Sequence, residues 1–172
     1  MIYQSFSRQE MNFVIKDVSI DDIPTITRLY NQGNKTANAN IEPVNEQSRR
    51  EWLASHGQNR PIIGIYHNDE MVAWASLSNL YDRPAYHIST EVSVYIDEPY
   101  KGQGLGSELL DTLLKLAKTL GIKNIVALIF GENVASLSLF GKFHFENWGY
   151  LPKVCLIDGV HKDVLILGRT ID

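Results

Sequence analysis

Apolar residues recur along the chain with two periods, one suited to strands and one to helices. Residues 13–18 (FVIKDV) read as a first strand. Asp21-Asp22-Ile23-Pro24 follows, with acidic residues and a proline where helices prefer to begin. Ile23, Ile26, Leu29 and Tyr30 then fall at helical spacing. Residues 31–45, rich in Asn and Ala, predict an irregular loop. Asn45 and Glu46 open a more polar helix through Trp52 and Leu53, whose end Gly57 and Pro61 bracket. Residues 61–67 and 71–78 predict two strands joined by Asn68-Asp69-Glu70. A loop at 79–85 precedes a long strand over 86–96 (YHISTEVSVYI).

Asp97-Glu98-Pro99 stops that strand. The run KGQGLGS at 101–107 then opens a strongly patterned helix. Leu105, Leu109, Leu113, Leu116 and Leu120 make its apolar stripe, and Gly121 suits its end. A buried strand at 124–130 and a short helix from Val134 to Phe143 come next. Closing strands are predicted at 145–150, 154–157 and 162–168, with Asp158-Gly159 as a turn. No internal repeat or interdomain linker interrupts this order. The pattern predicts one α/β domain over residues 11–172, antiparallel in front and βαβα behind, with residues 1–10 as an N-terminal extension.

Composition narrows the function classes. The 172 residues carry a net charge of −4 and no Lys/Arg block, which argues against nucleic acid as a partner. No apolar run approaches the ~18 residues of a membrane span. The single cysteine, Cys155, has no intramolecular partner, and a cytoplasmic location is expected. Histidines 56, 67, 87, 144 and 161 lack ligand spacing, so no metal is expected.

The glycine-rich turn carries the main chemical signal. Closely spaced glycines let backbone amides approach a ligand. A helix start adds unpaired N–H groups and a partial positive charge, so the segment Lys101-Gly102-Gln103-Gly104-Leu105-Gly106 suits an anion such as phosphate. A P-loop would need Lys before Ser107, and a dinucleotide turn would need a third glycine one place later. An acyl-CoA pyrophosphate turn remains, beside a glycine turn that binds nothing.

In its flanking residues the chain resembles the GNAT family of acetyl-CoA-dependent N-acetyltransferases, and within it the phosphinothricin and methionine sulfoximine acetyltransferase branch. The residues are the Lys101–Gly106 turn, Tyr30-Asn31, Arg50-x-Trp52, Arg83-x-Ala85-Tyr86, Thr90-Glu91-x-Ser93-Val94-Tyr95 and Asn133-x-x-Ser136. Together they span about residues 13–168. The resemblance implies a mixed central sheet splayed between two parallel strands and flanked by about four helices. It implies acetyl-CoA as co-substrate, its pantetheine arm paired with the backbone of Val94, Tyr95 and Ile96. The pyrophosphate would lie on the amides of Gly102, Gln103, Gly104, Leu105, Gly106 and Ser107, beside Lys101, with Asn133 and Ser136 also at the cofactor. Asn133 reads equally well as a helix cap.

Glu91 is the expected general base. Strand alternation puts it on one face with Ser93 and Tyr95. A carboxylate raised towards 6–7 would suit an α-amine with a pKa near 8, of which roughly a tenth is neutral at pH 7. Arg83 is expected to clamp a substrate carboxylate, and Tyr30, Asn31, Tyr81 and Tyr86 to line the amine pocket. The implied acceptor is the α-amine of a small amino-acid-like molecule, and a homodimer is implied too. A polyamine, an aminoglycoside or a protein N-terminus is an alternative acceptor, and a non-catalytic acyl-CoA sensor an alternative role. Two departures from the family pattern stand out. Phe140 occupies the place where many members carry an acidic Tyr, and His144 stands where relatives carry Gly.

Overall fold

The computed structural model describes residues 1–172. Its strands are β1 (Ile2–Arg8), β2 (Met11–Asp17), β3 (Ile62–His67), β4 (Glu70–Asn79), β5 (Ser89–Ile96), β6 (Asn124–Phe130), β7 (Glu146–Ile157) and β8 (Val160–Thr170). Its helices are α1 (Ile23–Gln32), α2 (Glu46–Ser55), α3 (Leu105–Thr119) and α4 (Val134–Lys142). All eight strands join one sheet in the order β1-β2-β3-β4-β5-β6-β8-β7. Every neighbouring pair is antiparallel except β5 and β6, whose parallel run requires the α3 crossover.

The two faces of the sheet bury different residues. On one, the α3 stripe packs Leu105, Leu109, Leu110, Leu113 and Ala117 against Ile65, Ala73, Ala75 and Leu77. Burying each leucine there contributes about 2 kcal/mol. Phe140 and Phe145, at and just after the end of α4, complete that layer. On the other face, Ile26 and Leu29 of α1 meet Trp74 and Tyr95, with Tyr30 and the α2 residues Trp52 and Leu53 packed around them. Arg28 donates to both carboxylate oxygens of Asp97 at 3.1 Å, and Gln32 donates at 3.0 Å, tying α1 to the end of β5. Burial would raise the pKa of Asp97, but these hydrogen bonds hold it below its ordinary value.

Three sequence expectations change. Residues 1–10 are not an appended extension: they supply β1 and the turn into β2, and Phe6 stacks on Phe13 at 5.3 Å. The signal was weak because β1 is an edge strand with polar residues interleaved. The strand expected from residue 86 starts at Ser89, because Pro84 opens a short 3-10 turn over Pro84–Tyr86. The strands expected at 145–150 and 154–157 form one strand, β7. Register shifts between Asn147 and Gly149 and between Leu151 and Cys155 absorb the irregularity. Pro152 is tolerated because β7 is an edge.

Candidate active site

Strands β5 and β6 pair only from Ser89↔Asn124 to Glu91↔Val126. Beyond that point β5 stays paired with β4 through Ile96, and β6 with β8 through Phe130. The sheet therefore splits, and the stretch Val94–Ile96 has one edge with no strand beside it. A cleft of about 720 Å³ occupies the gap. Val94, Tyr95 and Ile96 line it on one side, the glycine turn at one end, and Asn133 and Ser136 of the α4 start on the other side.

The turn is built from backbone conformation. Gly102 (φ +80°) and Gly104 (φ +78°) are both left-handed, and Gly104 caps α3. A Cβ at Gly102 would meet nothing within 4 Å, so conformation rather than crowding selects glycine there. A Cβ at Gly106 would lie 3.1 Å from Leu139 Cδ2 and 3.4 Å from Ile96 Cδ1, a tight fit against two side-chain ends. The backbone amides of residues 102–107 donate to no acceptor of the protein, and the first α3 bond runs from the Glu108 N–H to the Gly104 carbonyl at 3.3 Å. Six free donors, a helix start and an unpaired strand edge fit an extended ligand with phosphates at one end.

Lys101, Gly102, Gly104, Leu105, Gly106 and Ser107 line the cleft. Gln103 is the exception: it does not line the cleft, and its Oε1 is buried without a hydrogen-bond partner. The Lys101 ammonium is held by Glu98 at 2.7 Å. Lys142, which the sequence reading did not single out, also lines the cleft and donates to Ser107 Oγ at 3.1 Å. Its distance from the turn in sequence hid it, since the packing of α4 on α3 brings the two together.

Asn133 is a helix cap that also faces the cleft. Its Oδ1 accepts from the Ser136 N–H at 3.2 Å, which leaves its amide nitrogen available. Phe140 is buried, meets Phe145 at 4.9 Å and does not line the cleft. His144 takes φ +62°, the left-handed conformation that glycine adopts without strain.

Glu91 lines a second cavity of about 450 Å³ with Leu80, Tyr81, Leu128, Trp148 and Ile166. It sits at the last paired position of β5, three residues before the cleft-lining Val94. Burial raises its pKa above the ordinary carboxyl value. Across the strand pair it faces Ser78, while Ser76 faces Ser93 and Trp74 faces Tyr95. These side chains form a largely polar stripe beneath α1 and α2.

The residues expected around the amine are only partly gathered there. Tyr81 lines the Glu91 cavity, and Tyr86 meets Tyr81 edge-on at 4.9 Å. Tyr30 packs on Tyr95 at 5.3 Å, its hydroxyl hydrogen-bonded to Asn40 and its ring beneath the Arg49 guanidinium at 4.4 Å. Asn31 is not brought to either cavity. Its side chain is committed to the Val44 backbone, donating and accepting at 3.0 Å, and so pins the loop after α1. Arg83 is exposed on the loop before β5 and lines neither cavity. The family resemblance put both residues near the site, but Asn31 is hydrogen-bonded to the Val44 backbone and Arg83 lies exposed just before the short turn over Pro84–Tyr86.

The profile of the Acetyltransferase (GNAT) family matches residues 25–145. YwnH of Bacillus subtilis (strain 168), described as a candidate phosphinothricin acetyltransferase, is 40% identical over 151 residues, 86% of this chain and 93% of that protein. The L-methionine sulfoximine/L-methionine sulfone acetyltransferase of Pseudomonas paraeruginosa (strain DSM 24068 / PA7) is 32% identical over 148 residues, covering 84% of this chain and 86% of its own. Among solved structures, yncA of Salmonella typhimurium with acetyl-CoA superposes with a TM-score of 0.88 at 25% identity, over 93% of this chain and 94% of its own. The chain belongs to the GNAT acetyltransferase family and is an acetyl-CoA-dependent N-acetyltransferase.

Proposed function

We propose that this enzyme acetylates the α-amine of a small amino-acid-like molecule of the methionine sulfone, methionine sulfoximine or phosphinothricin type. Acetyl-CoA supplies the acetyl group as a thioester. The amides of residues 102–107 hold its pyrophosphate, Lys101 and Lys142 add positive charge, and the free edge of Val94, Tyr95 and Ile96 takes its arm as an added strand. Asn133 and Ser136 orient that arm from the α4 side.

Glu91 acts as general base and removes the proton from the substrate ammonium. The neutral amine then attacks the thioester carbonyl, whose oxygen a backbone N–H near Val94 stabilises. A thiol with a pKa near 8.5 leaves without a dedicated acid, which suits the phenylalanine at position 140. The observation that carries this reading is the position of Glu91, part-buried with a raised pKa at the last position where β5 pairs with β6, on the cavity beside the cleft.

The acceptor class follows from the cavity lining. One carboxylate among aromatic and aliphatic side chains suits a single ammonium better than a polyamine or an aminoglycoside. Arg83 reaches a substrate carboxylate only if its loop folds inward on binding. The exposed apolar residues Trp148, Tyr150, Leu151, Val154, Leu156 and Val160 of the β7–β8 hairpin support a homodimer. No helix is long and apolar enough to cross a membrane, and the proposed site of action is the cytoplasm.

The test is release of CoA thiol from acetyl-CoA with L-methionine sulfone, L-methionine sulfoximine, phosphinothricin, spermidine and an aminoglycoside. Turnover on one or more of the first three supports the proposal. Turnover confined to spermidine or the aminoglycoside overturns the acceptor class. Tight acetyl-CoA binding without turnover on any amine points to a sensor.

A further inference from the structure

Beside the glycine turn, where β1 meets the first turn of α3, stands a cation that the site described above does not use. Strand alternation turns Gln4, Phe6 and Arg8 of β1 towards α3. Gln4 Nε2 donates to Glu108 Oε2 at 2.9 Å, Arg8 is ion-paired with the other oxygen of that carboxylate, and Phe6 packs against the core layer that α3 covers. The Arg8 guanidinium also lies 5.2 Å from the Phe6 ring centroid, and its Nη1 donates to the Ser7 carbonyl at 3.0 Å. These contacts hold the side chain and leave Nε without an acceptor. That Nε is the atom nearest the point where a Cβ on Gly104 would lie, 4.0 Å away. Gly104 caps α3, and its amide is among those that donate to no acceptor of the protein.

The charges around the turn give Arg8 a role. Glu108 stands one helical turn past Gly104 with its side chain 17% exposed, and its carboxylate, left unpaired, would repel an anion on the free amides. Arg8 offsets that charge. Lys101 is itself held by Glu98 at 2.7 Å, and Lys142 approaches from α4 through Ser107. Arg8 borders the cleft lining rather than belonging to it. A guanidinium at that range attracts a diphosphate through its charge, and its free N–H remains to donate to a phosphate oxygen. Arg8 precedes the stretch that the family profile matches, so the family likeness does not supply it.

We propose that Arg8 is a phosphate-binding residue: β1 brings its guanidinium to Gly104, where it attracts the diphosphate of acetyl-CoA and offsets Glu108. The inference rests on the reading that the glycine turn holds that diphosphate. The N-terminal strand is then part of the cofactor site as well as of the sheet. Arg8 touches no reacting atom, so its loss weakens capture of the cofactor and not the chemistry that follows.

The test measures the dissociation constants of three donors by calorimetry in wild type, Arg8→Gln, Arg8→Lys and Glu108→Gln. The donors are acetyl-CoA, acetyl-dephospho-CoA, which keeps the diphosphate but lacks the 3′-phosphate, and acetyl-pantetheine, which has no phosphate. Arg8→Gln is expected to weaken the first two by roughly tenfold or more and to leave acetyl-pantetheine unchanged. Arg8→Lys keeps the charge and should stay within about threefold of wild type. Glu108→Gln breaks the same ion pair but removes a negative charge, and its amide oxygen still accepts from Arg8, so acetyl-CoA should bind no more weakly than to wild type. Equal weakening in Arg8→Gln and Glu108→Gln would make the pair merely structural and overturn the proposal. So would wild-type affinity in Arg8→Gln, a loss confined to acetyl-CoA, which would move Arg8 to the 3′-phosphate, or an equal loss on acetyl-pantetheine, which would mean a disturbed fold. Wild type alone tests the reading beneath the proposal: if it binds acetyl-pantetheine as tightly as acetyl-CoA, the turn holds no diphosphate.

Discussion

Glu91 and Val126 are the last residues paired across the two parallel strands, and β5 and β6 part immediately beyond them. One feature of the backbone thus sets two features of the chemistry. Where pairing stops, β5 has a free edge, and the carboxylate at the branch point lines the neighbouring cavity. Moving the branch by one residue would place Thr90 or Val92 there, whose side chains point to the α3 face, because successive side chains of a strand alternate.

The glycine turn should be necessary for cofactor affinity and dispensable for folding. Gly104 is left-handed, and its Cβ would have no protein neighbour nearer than Arg8 Nε at 4.0 Å. A β-branched residue there strains the turn by roughly 1–2 kcal/mol and realigns the free amides. Gly104→Val is expected to weaken acetyl-CoA binding at least tenfold by calorimetry while the far-UV circular dichroism spectrum stays native. Unchanged affinity would remove the pyrophosphate from this turn.

Residues 1–10 should matter for stability. Besides the ladder with β2, Tyr3 donates to Asp17 at 2.6 Å, Gln4 donates to Glu108 at 2.9 Å, and Arg8 is ion-paired with Glu108. The Phe6–Phe13 stack contributes about 1 kcal/mol beyond its buried area. Deleting the ten residues also uncovers Phe13, which is 1% exposed. Scanning calorimetry should show a lower Tm, by about 2–4 °C for each kcal/mol lost. An unchanged Tm would mean that β1 adds nothing to the domain.

Much of this architecture was legible in the sequence, and the failures have physical reasons. The α3 stripe was clear because its leucines repeat at 3.6-residue spacing, and the turn before it because glycines marked a special backbone. The alternation that put Glu91, Ser93 and Tyr95 on one face was legible because β5 is half buried. Contacts made only by folding were not. Lys142 reaches Ser107, and Asn31 chooses the Val44 backbone over a cavity, for reasons of packing that no local pattern encodes. The edge strand β1 was missed because edge strands carry little hydrophobic signal.

His144 offers a stabilising substitution at no cost to the chemistry. It is exposed, and its side chain makes no hydrogen bond, yet its φ is +62°. Relieving that conformation gains about 1 kcal/mol. His144→Gly should raise the Tm by about 2–4 °C with kcat unchanged. A lower Tm would show that the imidazole makes a contact worth more than the strain.

Glu91 should lower stability where it supports activity. Its folded-state pKa is raised by burial, so the unfolded chain loses this proton first as pH rises. Its contribution to stability is therefore fullest below the unfolded pKa and is lost as pH rises through the raised folded value. Glu91→Gln removes that loss, and its Tm at pH 7 should exceed that of wild type. The two should converge at a pH below both values, and a lower Tm for the variant at pH 7 would contradict the burial cost.

The most direct measurement is the pH profile of kcat for wild type and Glu91→Gln, with acetyl-CoA affinity measured in parallel. A base must be unprotonated to act, so wild-type kcat should fall as pH drops through the raised Glu91 value. The variant should lose roughly 10²–10⁴-fold in kcat, lack that acidic limb and bind acetyl-CoA as wild type does. A Glu91→Gln enzyme that turns over at the wild-type rate with the same acidic limb would contradict the account.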